Sequence, residues 1–402
     1  MTPAARVQAA IDILDMVIVA ARDDGPPADV IVGNYFKTRR YAGSKDRRAV
    51  RELVYRAIRR SGERPDTGRA AMLGLEDAAL LFGVGSEGGG HGPAAIGEGE
   101  LGTVPGGGTV PGWLIAELSP LVTEDEWPAL LERAPLDLRV RTVSIMRSEA
   151  VALFDGAEET PLSPWGIRLL PDSQIEKHPA YLSGQVEVQD EGSQLIALAC
   201  APAADANIID LCAGAGGKAL ALAAAAPGAD IIACDNNRGR LSKLGPRAAR
   251  AGAKIETRLL DGGREAEMLE DLEDQADLVL VDAPCSGSGT WRRNPEGRWR
   301  LNPDSLDKVV ALQAHLLDLA VPLVRPGGTL VYAVCSILAR EGAEQIADFL
   351  GRHSSWSVQD MPIEFGDGLA KGIGRVDGGG RLLTPGYDRT DGFFVARLGR
   401  PC

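Results

Sequence analysis

Apolar positions recur every three to four residues over 7–21, which predicts an amphipathic helix that the prolines at Pro26 and Pro27 bring to an end. Helical periodicity returns over 49–60, and residues 1–82 as a whole are predicted to form a helical N-terminal domain. Residues 83–110 are glycine-rich, with runs at Gly88-Gly-Gly and Gly106-Gly-Gly. A stretch so poor in large apolar side chains builds no core and is predicted to be a mobile linker or a surface loop. A helical segment resumes at Pro111-Gly-Trp-Leu-Ile-Ala-Glu-Leu118, and Leu136-Asp-Leu-Arg-Val-Arg-Thr-Val143 alternates apolar and polar positions as a strand does. Residues 111–185 are therefore predicted to be a small α+β module.

A strand–helix alternation then runs to the end of the chain. Strands are predicted at 207–211, 230–234, 255–260, 277–281, 329–334 and 392–398, with helices following the 212–218 turn and over 238–251, 305–324 and 341–352. This is the pattern of a doubly wound, mostly parallel α/β sheet, predicted over 186–402. Two of its β-branched runs stop on a cysteine: Asp277-Leu-Val-Leu-Val-Asp-Ala-Pro-Cys-Ser-Gly-Ser-Gly-Thr290 and Gly328-Thr-Leu-Val-Tyr-Ala-Val-Cys-Ser336. Ligands of open α/β sheets collect at the carboxyl ends of the strands. If these strands are neighbours, Cys285 and Cys335 face one crevice beside Asp282.

Composition narrows the picture. The chain has 402 residues, enough for two or three domains, and at 45% hydrophobic and 25% charged it has the make-up of a soluble globular protein. No apolar run reaches the length of a membrane span, and the first residues lack the layout of a signal peptide. The six cysteines are dispersed with no C-x-x-C pair, which predicts neither a disulfide framework nor a metal site, and a reducing cytoplasm. Cys200, Cys234 and Cys402 carry no motif, and none of the four histidines has ligand spacing. A net charge of −13 argues against nucleic acid as a partner, but the positive residues are clustered. Lys37, Arg39, Arg40, Lys45, Arg47 and Arg48 lie together with Tyr35, Phe36, Tyr41 and Tyr55, as a face for an RNA backbone and its bases requires. A second such segment, Trp291-Arg-Arg-Asn-Pro-Glu-Gly-Arg-Trp-Arg300, offers Arg292, Arg293 and Arg298 between two tryptophans.

The strand at 207–211 runs into the glycine turn Cys212, Ala213, Gly214, Ala215, Gly216, Gly217 and Lys218, and the next strand ends on Asp235. Such a turn lets a backbone approach a nucleoside while a carboxylate, Asp210 or Asp235, takes the ribose hydroxyls; Asp261, after the third strand, suits the adenine. This pattern alone does not separate a nicotinamide dinucleotide from S-adenosylmethionine.

Three motifs together do. Asp282-Ala-Pro-Cys-Ser-Gly-Ser-Gly289, Asp210-Leu-Cys-Ala-Gly-Ala-Gly-Gly-Lys218 and Tyr332-Ala-Val-Cys-Ser336 resemble those of the RsmB (Sun-type) family of RNA 5-methylcytosine methyltransferases. Val188-Gln-Asp-Glu-Gly-Ser-Gln-Leu195 and Thr390-Asp-Gly-Phe-Phe-Val-Ala396 extend the likeness over about 180–398, while the helical N-terminal region resembles the family's NusB-like domain only loosely. The resemblance implies a Rossmann-like domain with S-adenosylmethionine in the 212–218 loop near Asp235, Asp261 and Asp282. It implies Cys335 as the nucleophile, Cys285 as the residue that releases product, Asp282 on the cytosine edge and Lys218 beside it. Its substrate would be RNA: ribosomal first, transfer RNA as the alternative, with the enzyme a cytoplasmic, metal-free monomer. A DNA-type cytosine methyltransferase would instead make Cys285 essential, and a decayed RNA-binding assembly factor would need none of these groups. The cofactor loop departs from the family's usual Ala-Pro-Gly-Gly-Lys-Thr, reading Gly214-Ala-Gly-Gly-Lys-Ala219, without the proline and the hydroxyl.

Overall fold

The computed structural model describes residues 1–86, 90–170, 173–362 and 372–402; Gly88 and Gly89 of the first glycine run lie outside the described residues. The chain divides into two compact units. One comprises Met1–Leu118, Thr123–Glu132 and Thr290–Pro303, the other Ser119–Val122, Arg133–Gly289 and Asp304–Cys402.

The first unit is helical: α1 (Pro3–Arg22), α2 (Ala28–Lys37), α3 (Ser44–Arg60), α4 (Gly68–Leu73) and α5 (Glu76–Ala79). The Thr2 side chain accepts from Ala5 N at 3.2 Å and starts α1. Val7, Ile11, Leu14, Val17 and Ile18 of α1 then meet Val50, Val54 and Ile58 of α3 in one buried cluster. The two acids of α1 are spent on structure, Asp12 accepting from the Tyr35 hydroxyl at 3.0 Å and Asp15 from Gly68 N at 2.6 Å. The glycine-rich stretch, expected as a linker or a surface loop, belongs to this unit. Gly62 N donates to Gly106 O at 3.3 Å, Gly108 N to Arg60 O at 3.2 Å, and Arg69 holds Glu100 at 2.9 Å and Ala94 O at 3.1 Å. Glycine here shortens the approach between backbones, and hydrogen bonds replace the missing apolar contacts.

The second unit holds two sheets. The smaller has the order β2-β3-β1-β4, made of β1 (Leu136–Val140), β2 (Glu158–Glu159), β3 (Gly166–Leu169) and β4 (Val186–Val188), all antiparallel. The larger contains β5 (Asn207–Asp210), β6 (Asp230–Asp235), β7 (Glu256–Leu259), β8 (Ala276–Asp282), β9 (Val324–Val334), β10 (Ser357–Val358), β11 (Arg375–Asp377), β12 (Gly380–Leu383) and β13 (Phe393–Gly399). Its order is β11-β12-β13-β9-β8-β5-β6-β7, with β10 paired to β13. The β7-β6-β5-β8-β9 core is parallel, and β13 adds antiparallel to β9. This is a mixed, parallel-rich Rossmann-like sheet. The chain runs outward from β5 to β7 and then returns to the other side at β8, so the strand order reverses between β5 and β8. That reversal opens a crevice at the strands' carboxyl ends. No described helix is long and apolar enough to cross a membrane.

Candidate active site

Both sequence-predicted site segments leave the sheet at this crevice. After β5 the backbone is pinned by Ala213 N to Cys234 O at 2.8 Å and by Gly214 N to the Asp235 carboxylate at 2.8 Å. Asp235 takes a second backbone donor, Asn237 N, at 2.6 Å, which fixes the acid at the end of β6. Gly216 turns into the helix Gly217–Ala225 with φ +83°, and a Cβ there would lie 2.5 Å from Leu244 Cγ, so only glycine makes this turn. A Cβ on Gly214 or Gly217 would meet nothing within 4 Å, so the backbone borders open space there. Arg247 braces the loop from outside by donating to Ala215 O at 2.7 Å. Asp261 is exposed just beyond β7.

Asp210 sits under this loop, 1% exposed, and neither of its carboxylate oxygens has a hydrogen-bond partner of good geometry. Burial, then the charge of Asp282, pushes its pKa up to about 7, although Lys218 and the Cys212 N–H favour the charged form. A buried acid with no well-aligned hydrogen bond beside an open glycine backbone fits a cofactor carrying both a ribose and a cationic amino acid group. Cys212 is no nucleophile, since burial and then Asp210 hold its thiol well above the ordinary range.

Across the crevice, β8 and β9 run in register, with Asp282 opposite Ala333. Cys285 and Cys335 lie three and two residues beyond that pair, and their sulfurs are 3.2 Å apart. Lys218 Nζ meets Asp282 Oδ2 at 2.6 Å and stands 5.3 Å from the centre of the Phe393 ring. Burial alone would lower the Lys218 pKa, but Asp282 foremost holds it above its ordinary value, so the ammonium stays charged. The Cys285 thiol is raised well above its usual value, first by its hydrogen bond to Cys335, then by burial and by the charges of Cys335 and Glu341. Behind the thiols, Gly289 N donates to Cys335 O at 3.1 Å and Gly392 N to Gly289 O at 2.8 Å. A Cβ on Gly289 would lie 2.0 Å from Gly392 O, so this close pass also requires glycine. Among the described residues no group of His, Cys, Asp and Glu could hold a metal ion.

Glu341 was absent from the residues expected at the site. It is fully buried and accepts from Ser286 N at 2.8 Å, Gln313 Nε2 at 2.8 Å and Ser336 Oγ at 2.5 Å, and bonds the Ser286 hydroxyl. The serines after Cys285 and Cys335 were its only sequence signal.

The expected RNA-contacting residues separate into two groups. Lys37, Arg40, Lys45, Arg47 and Arg48 are exposed on the helical unit. Arg39 lies 3.6 Å over the Tyr35 ring and donates to Tyr35 O at 3.2 Å. Tyr35 and Phe36, expected to stack bases, are buried in the helical core. The expectation for Arg298 is overturned. It is 1% exposed and donates to Ile58 O at 2.6 Å, Ser61 O at 2.8 Å and Arg59 O at 3.1 Å. These are the carbonyls that close α3, where a cation satisfies acceptors the helix leaves open. Trp299 is buried in the same core, its Nε1 donating to Ser61 O at 3.1 Å, and Arg292 and Trp291 are buried as well. Arg293 is half-buried. Trp291, Arg292, Arg298 and Trp299 are thus structural parts of the helical unit.

Residues 197–399, just over half of the chain, match the model of the 16S rRNA methyltransferase RsmB/F family. A ribosomal RNA small subunit methyltransferase B from Enterobacter is 35% identical over 296 residues, which cover 72% of this chain and 66% of the relative. The chain thus spans just under two thirds of that relative's length. In fold, the chain is similar to the crystal structure of PH0851, with a TM-score of 0.73 and 22% identity over 99% of both chains. It is also similar to NSun6 from Pyrococcus horikoshii, solved with SFG, with a TM-score of 0.58 and 20% identity over 68% of this chain and 92% of that one. With its two thiols, its glycine loop and its strand reversal in one crevice, this chain belongs to the 16S rRNA methyltransferase RsmB/F family.

Proposed function

We propose that the protein methylates carbon 5 of a cytosine in RNA, with small-subunit ribosomal RNA as the substrate, through a covalent bond from Cys335 to carbon 6. The observation that carries this reading is the pair of sulfurs 3.2 Å apart at the ends of two neighbouring parallel strands, beside the Lys218–Asp282 ion pair. The substrate class rests on the names of the family and of its relatives. The cofactor is S-adenosyl-L-methionine, which supplies an electrophilic methyl group on a sulfonium. The 212–217 backbone, Asp235 and Asp210 would hold it, and Asp261 is the acid assigned to its adenine.

Carbon 5 of cytosine is a poor nucleophile until a group adds at carbon 6. The Cys335 thiolate forms that bond, and the displaced electron pair makes carbon 5 nucleophilic. Asp282 takes the amino edge of the base and supports protonation of the adduct, while Lys218 balances its charge. After methyl transfer a water takes the carbon 5 proton, the electron pair of that C–H bond re-forms the double bond between carbons 5 and 6, and the bond from carbon 6 to sulfur breaks with its pair on sulfur. Cys285, held as a neutral thiol, donates its hydrogen to the departing Cys335 sulfur. That assigns Cys335 to capture and Cys285 to release. A DNA-type enzyme would assign capture to Cys285, and adduct formation in the two alanine variants separates the two assignments.

The test is methyl transfer from labelled cofactor to 16S rRNA, followed by digestion to nucleosides. The label is expected in 5-methylcytidine and to be lost in Cys335→Ala. Asp282→Asn is expected to slow transfer by about a hundredfold or more. Label in any other nucleoside, or label surviving in Cys335→Ala, overturns the reading.

A further inference from the structure

The two loops that carry the thiols are joined by one buried side chain. We propose that Glu341 is a positioning residue that holds the Cys285 loop against Cys335 and thereby sets the rate of product release; this rests on the roles assigned above to the two cysteines.

Among the described residues, every hydrogen bond of the Glu341 carboxylate leads to a neighbour of one of these thiols. One oxygen accepts from Ser286 N and from Gln313 Nε2, and Gln313 Nε2 also reaches Pro284 O at 3.0 Å, so both residues flanking Cys285 are tied. The other oxygen binds the hydroxyls of Ser286 and Ser336. Ser288 closes the ring, bonding Ser336 Oγ at 3.0 Å and accepting from Ile337 N at 3.0 Å. The Glu341 carbonyl is itself fixed by the Tyr332 hydroxyl at 2.8 Å.

The two loops depend on this carboxylate unequally. Cys335 follows directly on β9, which is paired on both sides, and its carbonyl is held by Gly289 N. Beyond Ala283 N, which donates to Ala333 O at 2.9 Å, the Cys285 loop has left the strand ladder and is tied to Glu341 through Ser286 N, the Ser286 hydroxyl and, by way of Gln313, Pro284 O. Loss of the carboxylate therefore frees Cys285 more than Cys335. Capture by Cys335 survives, while the thiol that must meet the departing sulfur is misplaced. The carboxylate's negative charge also contributes to keeping Cys285 protonated.

Two measurements test this on the full-length protein, with circular dichroism as the check on folding. The first oxidises the thiols with diamide, which takes two electrons and two protons to become the hydrazine while Cys285 and Cys335 join as a disulfide. Mass spectrometry follows the rate, with Cys285→Ser as the blank. It needs no RNA and so stands whether or not the proposed reaction is correct. Glu341→Ala is expected to slow disulfide formation at least tenfold, and Glu341→Gln, which keeps the shape and can bond both serines, by less than threefold. The second measures the protein–RNA adduct and steady-state turnover. Glu341→Ala is expected to form adduct within threefold of the wild-type rate, yet to turn over at least tenfold more slowly and accumulate adduct. If Glu341→Ala does not fold, Glu341→Gln is carried through with Gln313→Ala in its place. An unchanged disulfide rate in the Ala variant, or equal losses of capture and release, overturns the proposal. No Cys335-dependent adduct in the wild type, with the disulfide rate slowed as expected, overturns the reaction and the release role but leaves the positioning geometry intact.

Discussion

At the scale of single residues, position matters as much as burial for the reactive groups. Burial pushes the thiols of Cys200, Cys212 and Cys234 up, and it contributes to the rise at Cys285 too, but Cys285 and Cys335 share a hydrogen at the crevice. Asp210 shows the same force acting on an acid. Its pKa of about 7 in the folded chain lies above that of an unfolded aspartate, near 3.9, so the folded state binds the proton more tightly. Its contribution to stability is then full below about pH 4 and is lost as the pH rises toward 7. Asp210→Asn does not titrate. Its melting temperature relative to wild type is expected to climb by several degrees between pH 5 and pH 8 in the cofactor-free protein, while its affinity for the cofactor falls. Each unit of pKa shift is worth about 1.4 kcal/mol at most, which sets the ceiling. A difference in melting temperature that does not change with pH would contradict this role for Asp210.

At the scale of elements, the 291–300 segment shows why charge in a sequence is a poor guide to what a charge does. Arg298 closes α3 with three carbonyl contacts, so Arg298→Ala removes a buried cation and strands its acceptors, at a cost of about 2–4 kcal/mol. A lower melting temperature with an unchanged salt dependence of RNA binding is the expected result. The exposed pair Lys45 and Arg48 should behave in the opposite way. Lys45→Ala/Arg48→Ala is expected to leave the melting temperature in place and to reduce the slope of log affinity against log salt by roughly 0.7–0.9 for each phosphate that is no longer neutralised. Strands β5, β6, β8 and β9 were legible because each carries a short apolar run that stops at an aspartate or a cysteine of the site, and so were the glycine loop and the two cysteines; the two- to four-residue strands β2, β3, β4, β10, β11 and β12 are too short to show a period. Glu341 was not, because its role depends on a turn bringing it back onto serines 5 and 55 residues away. Nor was the burial of Tyr35, Phe36 and Arg298, since an aromatic or an arginine reads the same in sequence whether it faces solvent or caps a helix.

At the scale of the whole molecule, neither unit is continuous in the chain. The chain leaves the catalytic unit after Gly289, four residues beyond Cys285, supplies Trp299 to the helical core, and returns after Pro303. A fragment of residues 1–132 is therefore expected to unfold without a cooperative transition, and to recover one when a peptide of residues 290–303 is added. A sharp transition for the fragment alone would contradict the shared core. The mechanism turns on which sulfur bonds to carbon 6. The most direct measurement incubates Cys285→Ala and Cys335→Ala with 16S rRNA and cofactor, resolves the products on denaturing gels, and sequences the cross-linked peptide. An adduct that survives denaturation in Cys285→Ala, joined through Cys335 to a cytosine and absent from Cys335→Ala, is the predicted result. An adduct through Cys285, or one that forms without Cys335, would contradict it.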